Sequence, residues 1–282
     1  LLIAVIALTS GVMLLEVVGG LVSGSLALIS DAGHMLTDLL ALVLSLMAIR
    51  VALRPATRGK TYGYHRVEIL TALLNGTVLI VLSGLLLYKA AHRILHPAAV
   101  EGPLMLGVAV VGLLANLLAL GLLSRCRQSL NIRGARMHVL GDTLSSFGVV
   151  LAGVVVTTTG WTTIDPILGA VIAVVIVVGA FRLVREAVDV LLEGVPADID
   201  PERVSEAIRT VPGVLEVHDL HIWSITTGLT ALSGHVRVAD GGATPRDQML
   251  NHIKRTVRDR FGIVHTTIQL ESPAYQELGD IH

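Results

Sequence analysis

Six apolar stretches dominate the sequence, and each is long enough to cross a bilayer as an α-helix. About 30 Å of hydrocarbon requires roughly 20 residues at 1.5 Å per residue. The stretches lie near 1–22, 26–50, 67–92, 103–124, 135–158 and 163–186. Only 15% of the residues are charged and the mean hydropathy is +0.74, whereas soluble domains carry about 25% charged residues. The sequence therefore predicts a polytopic α-helical membrane protein with six transmembrane helices.

The distribution of charge predicts the orientation of the helices and excludes some partners. Lysine and arginine concentrate between the second and third stretches and between the fourth and fifth, which the positive-inside rule assigns to the cytoplasm. Both termini are then cytoplasmic, in a bacterial inner membrane, although Lys89 and Arg93 near the outer end of the third helix oppose the rule. A net charge of -1 argues against nucleic acid as a partner, and the single cysteine excludes an internal disulfide.

The last third of the chain changes character after about residue 195. Asp200-Pro201 reads as a helix N-cap followed by proline, and Val204, Ile208 and Val211 recur at helical spacing. Two strands around a turn at 226–228, a second amphipathic helix near 245–260 and a strand at 265–271 complete the order αββαβ. We predict a transmembrane domain at 1–194, a cytoplasmic α+β domain with a ferredoxin-like sheet at 195–273, and a tail at 274–282.

The pattern His-x-Leu-x-Asp-x-Leu occurs twice inside apolar stretches, at 34–40 and 138–144. His34 and Asp38 are four residues apart, as are His138 and Asp142, so each pair projects from one helix face. A carboxylate in hydrocarbon costs roughly 2.5–3.5 kcal/mol, so two such pairs require a function. Helices two and five are antiparallel in the predicted topology, which brings the four side chains to a similar depth. An isolated intramembrane residue is often a helix–helix hydrogen-bond partner, but two matching pairs favour an ion site.

Two imidazoles and two carboxylates form a tetrahedral ligand set that suits Zn²⁺, with Co²⁺ next and Cd²⁺ disfavoured without sulfur. Imidazole binds a metal only when neutral, and its unperturbed pKa near 6.5 makes protons and metal compete for one site. Three other polar residues sit alone in apolar helices, where interhelical hydrogen bonding is the favoured role: Glu16, Asn75 and Asn116. Asp165-Pro166 reads as the N-terminal cap of the sixth helix.

Several segments together resemble the cation diffusion facilitator family, in its zinc-transporting His-Asp subgroup. The resemblance covers nearly the whole chain and is carried by residues 23–28 (SGSLAL), 31–38 (DAGHMLTD), 62–68 (YGYHRVE), 138–142 (HVLGD), 192–196 (LEGVP) and 218–223 (HDLHIW). It implies a homodimer in membrane lipid that exports zinc from the cytoplasm in exchange for protons. It also implies that His34, Asp38, His138 and Asp142 are the transport ligands.

A second metal site is predicted in the cytoplasmic domain. His218 and His235 are symmetric about the turn, so an antiparallel hairpin places them directly opposite on one face. His265 and Glu271 also share a face of the last strand by alternation. The resemblance supports His218, His235 and Glu271 as ligands, with His265 as a further candidate; the alternative is a solvated sheet face without metal. Strand alternation puts His221 on the opposite face, so it is left out.

The leading hypothesis is a Zn²⁺/H⁺ antiporter that works by alternating access. A transporter with Co²⁺ or Cd²⁺ as its main substrate remains an alternative, as does a membrane-embedded zinc sensor or scaffold that signals through its cytoplasmic domain. An intramembrane metalloenzyme is disfavoured, because four protein ligands leave no open position on the metal for a reacting water.

Overall fold

The structure is a computed structural model, and it describes the backbone of residues 2–124, 130–240 and 245–275. Side chains in these ranges are described except at 2–6, 38, 42, 45, 123–124 and 130–138. The chain forms two compact units, one of residues 1–47 and 71–184 and one of residues 48–70 and 185–282. Most of the tail predicted at 274–282 lies outside the described residues.

Six long helices occupy the first two thirds of the chain: α1 (Leu2–Ser23), α2 (Leu26–Ala52), α3 (Val67–Leu95), α4 (Gly102–Ser124), α5 (Leu130–Thr159) and α6 (Ile164–Leu191). Five of them, α2 to α6, are long and apolar enough over their described residues to span a membrane. The described apolar part of α1, Ala7–Ser23, is shorter. The helical class is therefore as predicted, while the sixth span stays a prediction.

Small side chains allow the helices of the first unit to approach one another closely. Its main core cluster joins alanines and β-branched residues of α2, α4, α5 and α6, among them Ala27, Ala109, Val149, Ala152 and Ile172. A Cβ at Gly153 of α5 would lie 3.0 Å from the Cα of Leu106 in α4, so a larger residue would require the two helices to move apart by a few tenths of an ångström. Membrane helices associate through such close packing, since lipid tails leave no hydrophobic driving force between them.

The start of α2 is capped by a residue of another helix. Asp165, in the first turn of α6, is fully buried, and its carboxylate accepts hydrogen bonds from Ser25 Oγ (2.5 Å), Leu26 N (2.7 Å) and Ala27 N (3.1 Å). The prediction that Asp165 caps its own helix is therefore wrong. An N-terminal turn offers unpaired N–H groups and a positive dipole end, and both favour a carboxylate there.

The same carboxylate explains the arginine that opposed the positive-inside rule. Arg93, near the end of α3, places Nη1 3.8 Å from Asp165 Oδ2 and also donates to the carbonyl of Gly24. The cation thus has a buried anion and a backbone acceptor. Three helix ends, those of α2, α3 and α6, are tied together at this point.

The second unit contains the predicted α+β domain. Its elements are α7 (Pro201–Arg209), β1 (Val214–Thr226), β2 (Leu229–Val238), α8 (Arg246–Phe261) and β3 (His265–Glu271). The sheet order is β1-β2-β3, with β1 antiparallel and β3 parallel to β2. Asp200 caps α7 by accepting from Glu202 N at 3.0 Å, as the sequence predicted. Both helices pack apolar residues on one sheet face, including Val204, Ile208, Ile253 and Val257 of the core cluster.

The segment between α2 and α3 belongs to this same unit and contacts the domain. Glu68 of α3 accepts a 2.7 Å hydrogen bond from Thr226 Oγ1 at the end of β1. Arg66 Nη2 lies 3.0 Å from Glu193 Oε1, just after α6. These contacts connect the ends of membrane helices with the β1–β2 turn and with the segment that leads into the domain.

Candidate metal sites

One imidazole and one carboxylate of the repeated motif meet inside the helical unit. His34 Nε2 of α2 lies 3.9 Å from Asp142 Oδ1 of α5, and the Asp142 side chain is 4% exposed. Two donors on one tetrahedral zinc are about 3.3 Å apart, given Zn–N and Zn–O bonds near 2.0 Å. The observed separation is close to that required for a shared metal ion.

The other two predicted ligands lie on the same helices at helical spacing. Asp38 follows His34 by one turn of α2, and His138 precedes Asp142 by one turn of α5. The side chains of both lie outside the described residues. The structure therefore places half of the predicted set directly and the other half by backbone position.

A hydrogen-bonded network crosses the bundle one turn from His34. Asp31 is buried, and it accepts hydrogen bonds from Ser145 Oγ (2.6 Å) and Ser146 Oγ (3.1 Å) of α5. Asn116 of α4 donates to Ser146 Oγ at 3.0 Å, which confirms interhelical hydrogen bonding for this asparagine. The network fixes α2 against α5 beside the His34–Asp142 pair.

Glu16 of α1 differs from Asn116, although the sequence predicted an interhelical hydrogen bond for both. Its side chain is 1% exposed, and neither carboxylate oxygen has a hydrogen-bond partner among the residues that the structure describes. The carboxylate points at Gly112 of α4, where a Cβ would come within 2.5 Å of Oε1. The predicted interhelical hydrogen bond of Glu16 is thus not present there, and the glycine provides the space for a buried acid.

Three predicted ligands of the cytoplasmic domain come together on the sheet face opposite α7 and α8. His218 and His235 are directly opposite in the hairpin, as predicted. Glu271 Oε2 lies 3.2 Å from His218 Nε2, and Glu271 Oε1 lies 3.1 Å from His235 Nδ1. Glu271 is 3% exposed and its Oε1 also accepts from Gln269 Nε2 at 2.9 Å. Among the described residues this trio has donor atoms all within 4.8 Å of one another, a spacing that can hold a metal ion.

His265 is not part of this trio. It begins β3 and pairs with Ala231, whereas Glu271 ends the same strand, about 20 Å away at 3.3 Å per residue. The His265 ring makes an edge-to-face contact with Tyr62 at 5.6 Å, beside a cavity of about 480 Å³ that His65 also lines. Alternation placed His265 and Glu271 on one face correctly, but a shared face did not make them neighbours.

His221 lies on the same face as His218, so its assignment to the opposite face is wrong. The β1–β2 register shifts between His218 and His221, and His221 pairs with Ser233, two residues before His235. Asp219 within this bulge has φ +47°, in the left-handed region. Its Oδ1 lies 2.8 Å from His221 Nε2. A β-bulge changes which face a side chain occupies, and strict alternation cannot anticipate it.

Comparison with known proteins identifies the family to which both halves of the chain belong. Residues 2–192 match the family model described as "Cation efflux transmembrane domain". Residues 196–273 match the one described as "Cation efflux protein, cytoplasmic domain". A solved structure, "Metal-bound C-terminal domain of the CzcD transporter from Cuprividus metallidurans", is 40% identical and covers 26% of this chain and 99% of its own, with a TM-score of 0.24.

Two relatives extend over nearly the full length. The "Cadmium, cobalt and zinc/H(+)-K(+) antiporter" of Bacillus velezensis is 39% identical over 98% of this chain and 88% of its own. The "Zinc transporter ZitB" of Escherichia coli is 40% identical over 93% of this chain and 84% of its own. Two matching family models and these relatives show that the chain belongs to the cation efflux family, the cation diffusion facilitators, which are integral membrane transporters of metal cations and not enzymes.

Proposed function

We propose that this protein exports Zn²⁺ from the cytoplasm in exchange for protons, by alternating access around His34, Asp38, His138 and Asp142. The observation that carries the proposal is the approach of His34 to Asp142, 3.9 Å apart on two apolar helices. A histidine and a buried carboxylate are expensive in hydrocarbon, and transporters use such groups as ion sites near the midplane.

The register of α2 against α5 supports the remaining two ligands. Asp31 contacts Ser145, and these residues lie three before His34 on α2 and three after Asp142 on α5. From the His34–Asp142 contact to the Asp31–Ser145 contact, the chain goes back three residues on α2 and forward three on α5, which indicates that the two helices are antiparallel. Continued by four residues in the other direction, the same register pairs position 38 with position 138. This extrapolation predicts two donor pairs one helical turn apart, about 6 Å along the axis, so that four converging side chains can share one ion.

The ligand chemistry favours zinc and explains a coupling to protons. Two imidazoles and two carboxylates satisfy a four-coordinate, borderline-soft ion, whereas Mg²⁺ or Ca²⁺ require more oxygen ligands. A proton on imidazole or carboxylate excludes the metal, so each exchange carries the two in opposite directions. The names of the two relatives, which include zinc and, in one, H⁺, agree with this substrate pair.

The domain match supports the location and the assembly that we propose. The C-terminal part matches a cytoplasmic domain, and with the six predicted spans we propose that both termini are cytoplasmic. The relatives above are bacterial, so we assign the protein to a bacterial cytoplasmic membrane. We also propose a homodimer, which the family resemblance implies and which the short name of the cytoplasmic-domain model, ZT_dimer, supports.

We assign a regulatory metal to His218, His235 and Glu271. The three donors are preorganised at distances near those in a zinc site. The segment at 48–70 and the sheet share one compact unit, through contacts such as Glu68 with Thr226. A metal that orders the sheet therefore biases the ends of α2 and α3.

The test is ⁶⁵Zn uptake into inverted membrane vesicles with an imposed pH gradient. Asp142→Asn removes one ligand charge and should abolish uptake, while Asp240→Asn, an exposed aspartate of the cytoplasmic domain, should leave it unchanged. Glu271→Gln should retain the maximal rate and lose activation by cytoplasmic zinc. Full uptake by Asp142→Asn would refute the intramembrane site.

The sensor alternative predicts no proton-driven ⁶⁵Zn uptake in this assay, even by the parent protein. Its signalling output requires the cytoplasmic domain, so truncation after residue 196 would abolish that output while the intramembrane variants would retain it. Metal choice is tested with His34→Asp, which replaces nitrogen by oxygen and should admit harder ions. Competition of Mn²⁺ with ⁶⁵Zn measures that change in the variant, and competition of Co²⁺ and Cd²⁺ with ⁶⁵Zn in the parent tests the alternative substrates.

A further inference from the structure

The bulge in β1 brings a carboxylate to the metal-binding face that a regular strand would have turned into the core. Asp219 follows His218 directly, so strict alternation would point it toward α7 and α8. Instead the left-handed backbone at Asp219 lets Leu220 pack against the core, while Asp219 and His221 contact each other beside His235.

Gly234 packs directly against this bulge. It lies opposite the bulge in β2, and a Cβ there would approach Leu220 Cδ1 to 3.0 Å and the Asp219 carbonyl oxygen to 3.8 Å. The first distance is tighter than ordinary van der Waals contact. A side chain at position 234 would therefore require the Leu220 methyl to move by a few tenths of an ångström, while the backbone of the bulge stays at ordinary contact distance.

The two ring nitrogens of His235 face different carboxylates. Nδ1 lies 3.1 Å from Glu271 Oε1, inside the metal-binding trio. Nε2 lies 3.8 Å from Asp219 Oδ2, on the other side of the ring. A histidine that binds a metal through one nitrogen commonly presents its other N–H to a carboxylate, which fixes the tautomer and the ring orientation.

We propose that Asp219 is a positioning residue of the cytoplasmic metal site: its carboxylate faces the Nε2–H of His235 and keeps Nδ1 as the metal-binding atom. His221 holds Asp219 in turn, through the 2.8 Å contact between its Nε2 and Asp219 Oδ1. The inference rests on the proposed site of His218, His235 and Glu271, and it extends that site by two residues that do not touch the metal.

Loss of such a supporting carboxylate typically lowers metal affinity 10- to 100-fold. Asp219 and His235 have side chains 35% and 22% exposed, so water competes for the same N–H. We therefore expect roughly a 10-fold loss, at the lower end of that range.

The experiment is a Co²⁺ titration of the full-length chain in detergent, in an Asp142→Asn background that silences the intramembrane site. Asp219→Gly and Asp219→Asn are the test variants, because glycine and asparagine both tolerate a positive φ. Asp219→Gly should weaken binding about 10-fold, and Asp219→Asn should weaken it less, because the amide oxygen still presents an acceptor to the N–H. The visible absorption of bound Co²⁺ should be unchanged in both, since the ligand set is intact.

Other outcomes would refute the positioning role of Asp219 or show that the cytoplasmic metal site itself is wrong. Parent-like affinity in both variants, with Glu271→Gln abolishing binding, overturns the positioning role alone. A Co²⁺ spectrum that changes with Asp219→Gly makes Asp219 a ligand and also overturns it. Undiminished binding by Glu271→Gln instead refutes the cytoplasmic site itself, and with it the inference. Asp240→Asn is the matched control, and if the glycine variant fails to fold, the asparagine variant decides.

Discussion

Replacement of Asp165 by asparagine tests whether one buried carboxylate holds the start of α2. The residue is fully buried at the beginning of α6, and its two oxygens accept three hydrogen bonds from the first turn of α2 and from Ser25. Asp165→Asn preserves the shape of the side chain and removes its charge. One oxygen becomes an NH₂ group, which cannot accept.

The magnitude follows from those contacts. If the amide oxygen keeps the position of Oδ1, the bonds from Ser25 Oγ and Ala27 N remain but become neutral, and Leu26 N loses its acceptor. A hydrogen bond to a charged group contributes roughly 1.5–3 kcal/mol, and a buried donor without a partner costs about 1–3 kcal/mol. Arg93, with its side chain 27% exposed, can turn to water. We expect a loss of about 3 kcal/mol in the free energy of unfolding.

Thermal unfolding of the purified protein in detergent, followed by circular dichroism, measures this loss. For a chain of this size about 3 kcal/mol corresponds to a decrease of roughly 10 °C in Tm. The matched control is Asp240→Asn, whose exposed ion pair with Arg246 at 3.9 Å is worth less than about 1 kcal/mol. Hydrogen exchange at the amides of Leu26 and Ala27 should accelerate only in Asp165→Asn. Equal Tm values for the two variants would refute the capping role.

Two further substitutions separate packing from surface charge. Gly153→Ala places a Cβ 3.0 Å from the backbone of Leu106 and should lower Tm, because overpacking costs roughly 1–3 kcal/mol. Gly107→Ala places a Cβ with nothing within 4 Å and should leave Tm unchanged. Equal changes of Tm in the two variants would contradict the close approach of α4 and α5 at Gly153. Arg66→Ala should reduce stability by less than about 1 kcal/mol, since the side chains of Arg66 and Glu193 are 40% and 62% exposed. A larger loss, insensitive to salt, would show that this pair is not a surface contact.

Features that depend on local periodicity could be predicted from the sequence. The apolar stretches predicted the helices, because membrane thickness fixes a minimum length that composition reveals. The pairing of His218 with His235 was predicted from symmetry about the turn, but the structure reaches it by another route: the turn pairs Thr226 with Leu229, and register shifts between that pair and His218 bring His218 opposite His235. The αββαβ order followed from capping and turn residues such as Asp200 and Pro201.

Features that depend on contacts between distant elements could not be predicted from the sequence. Asp165 and Pro166 have the spacing of a local cap, and nothing in that spacing shows that Leu26 and Ala27 come within hydrogen-bond distance. Arg93 opposed the charge rule for the same reason, since its anionic partner is 72 positions away in a different helix. A carboxylate binds whichever unpaired N–H groups the tertiary fold brings to it, and local sequence does not specify which helix provides them.

The two histidines that were placed by strand alternation, His221 and His265, show where such reasoning holds. Alternation determines the face of a side chain only while the strand is regular, and the bulge at Asp219 breaks this condition between His218 and His221. It also carries no information on distance along the strand, so His265 shares a face with Glu271 from the far end of β3. A metal site requires both the same face and donor atoms within a few ångströms. Cross-strand pairing meets both conditions for His218 and His235, and it depends on the register shifts between the turn and this pair as well as on the turn itself.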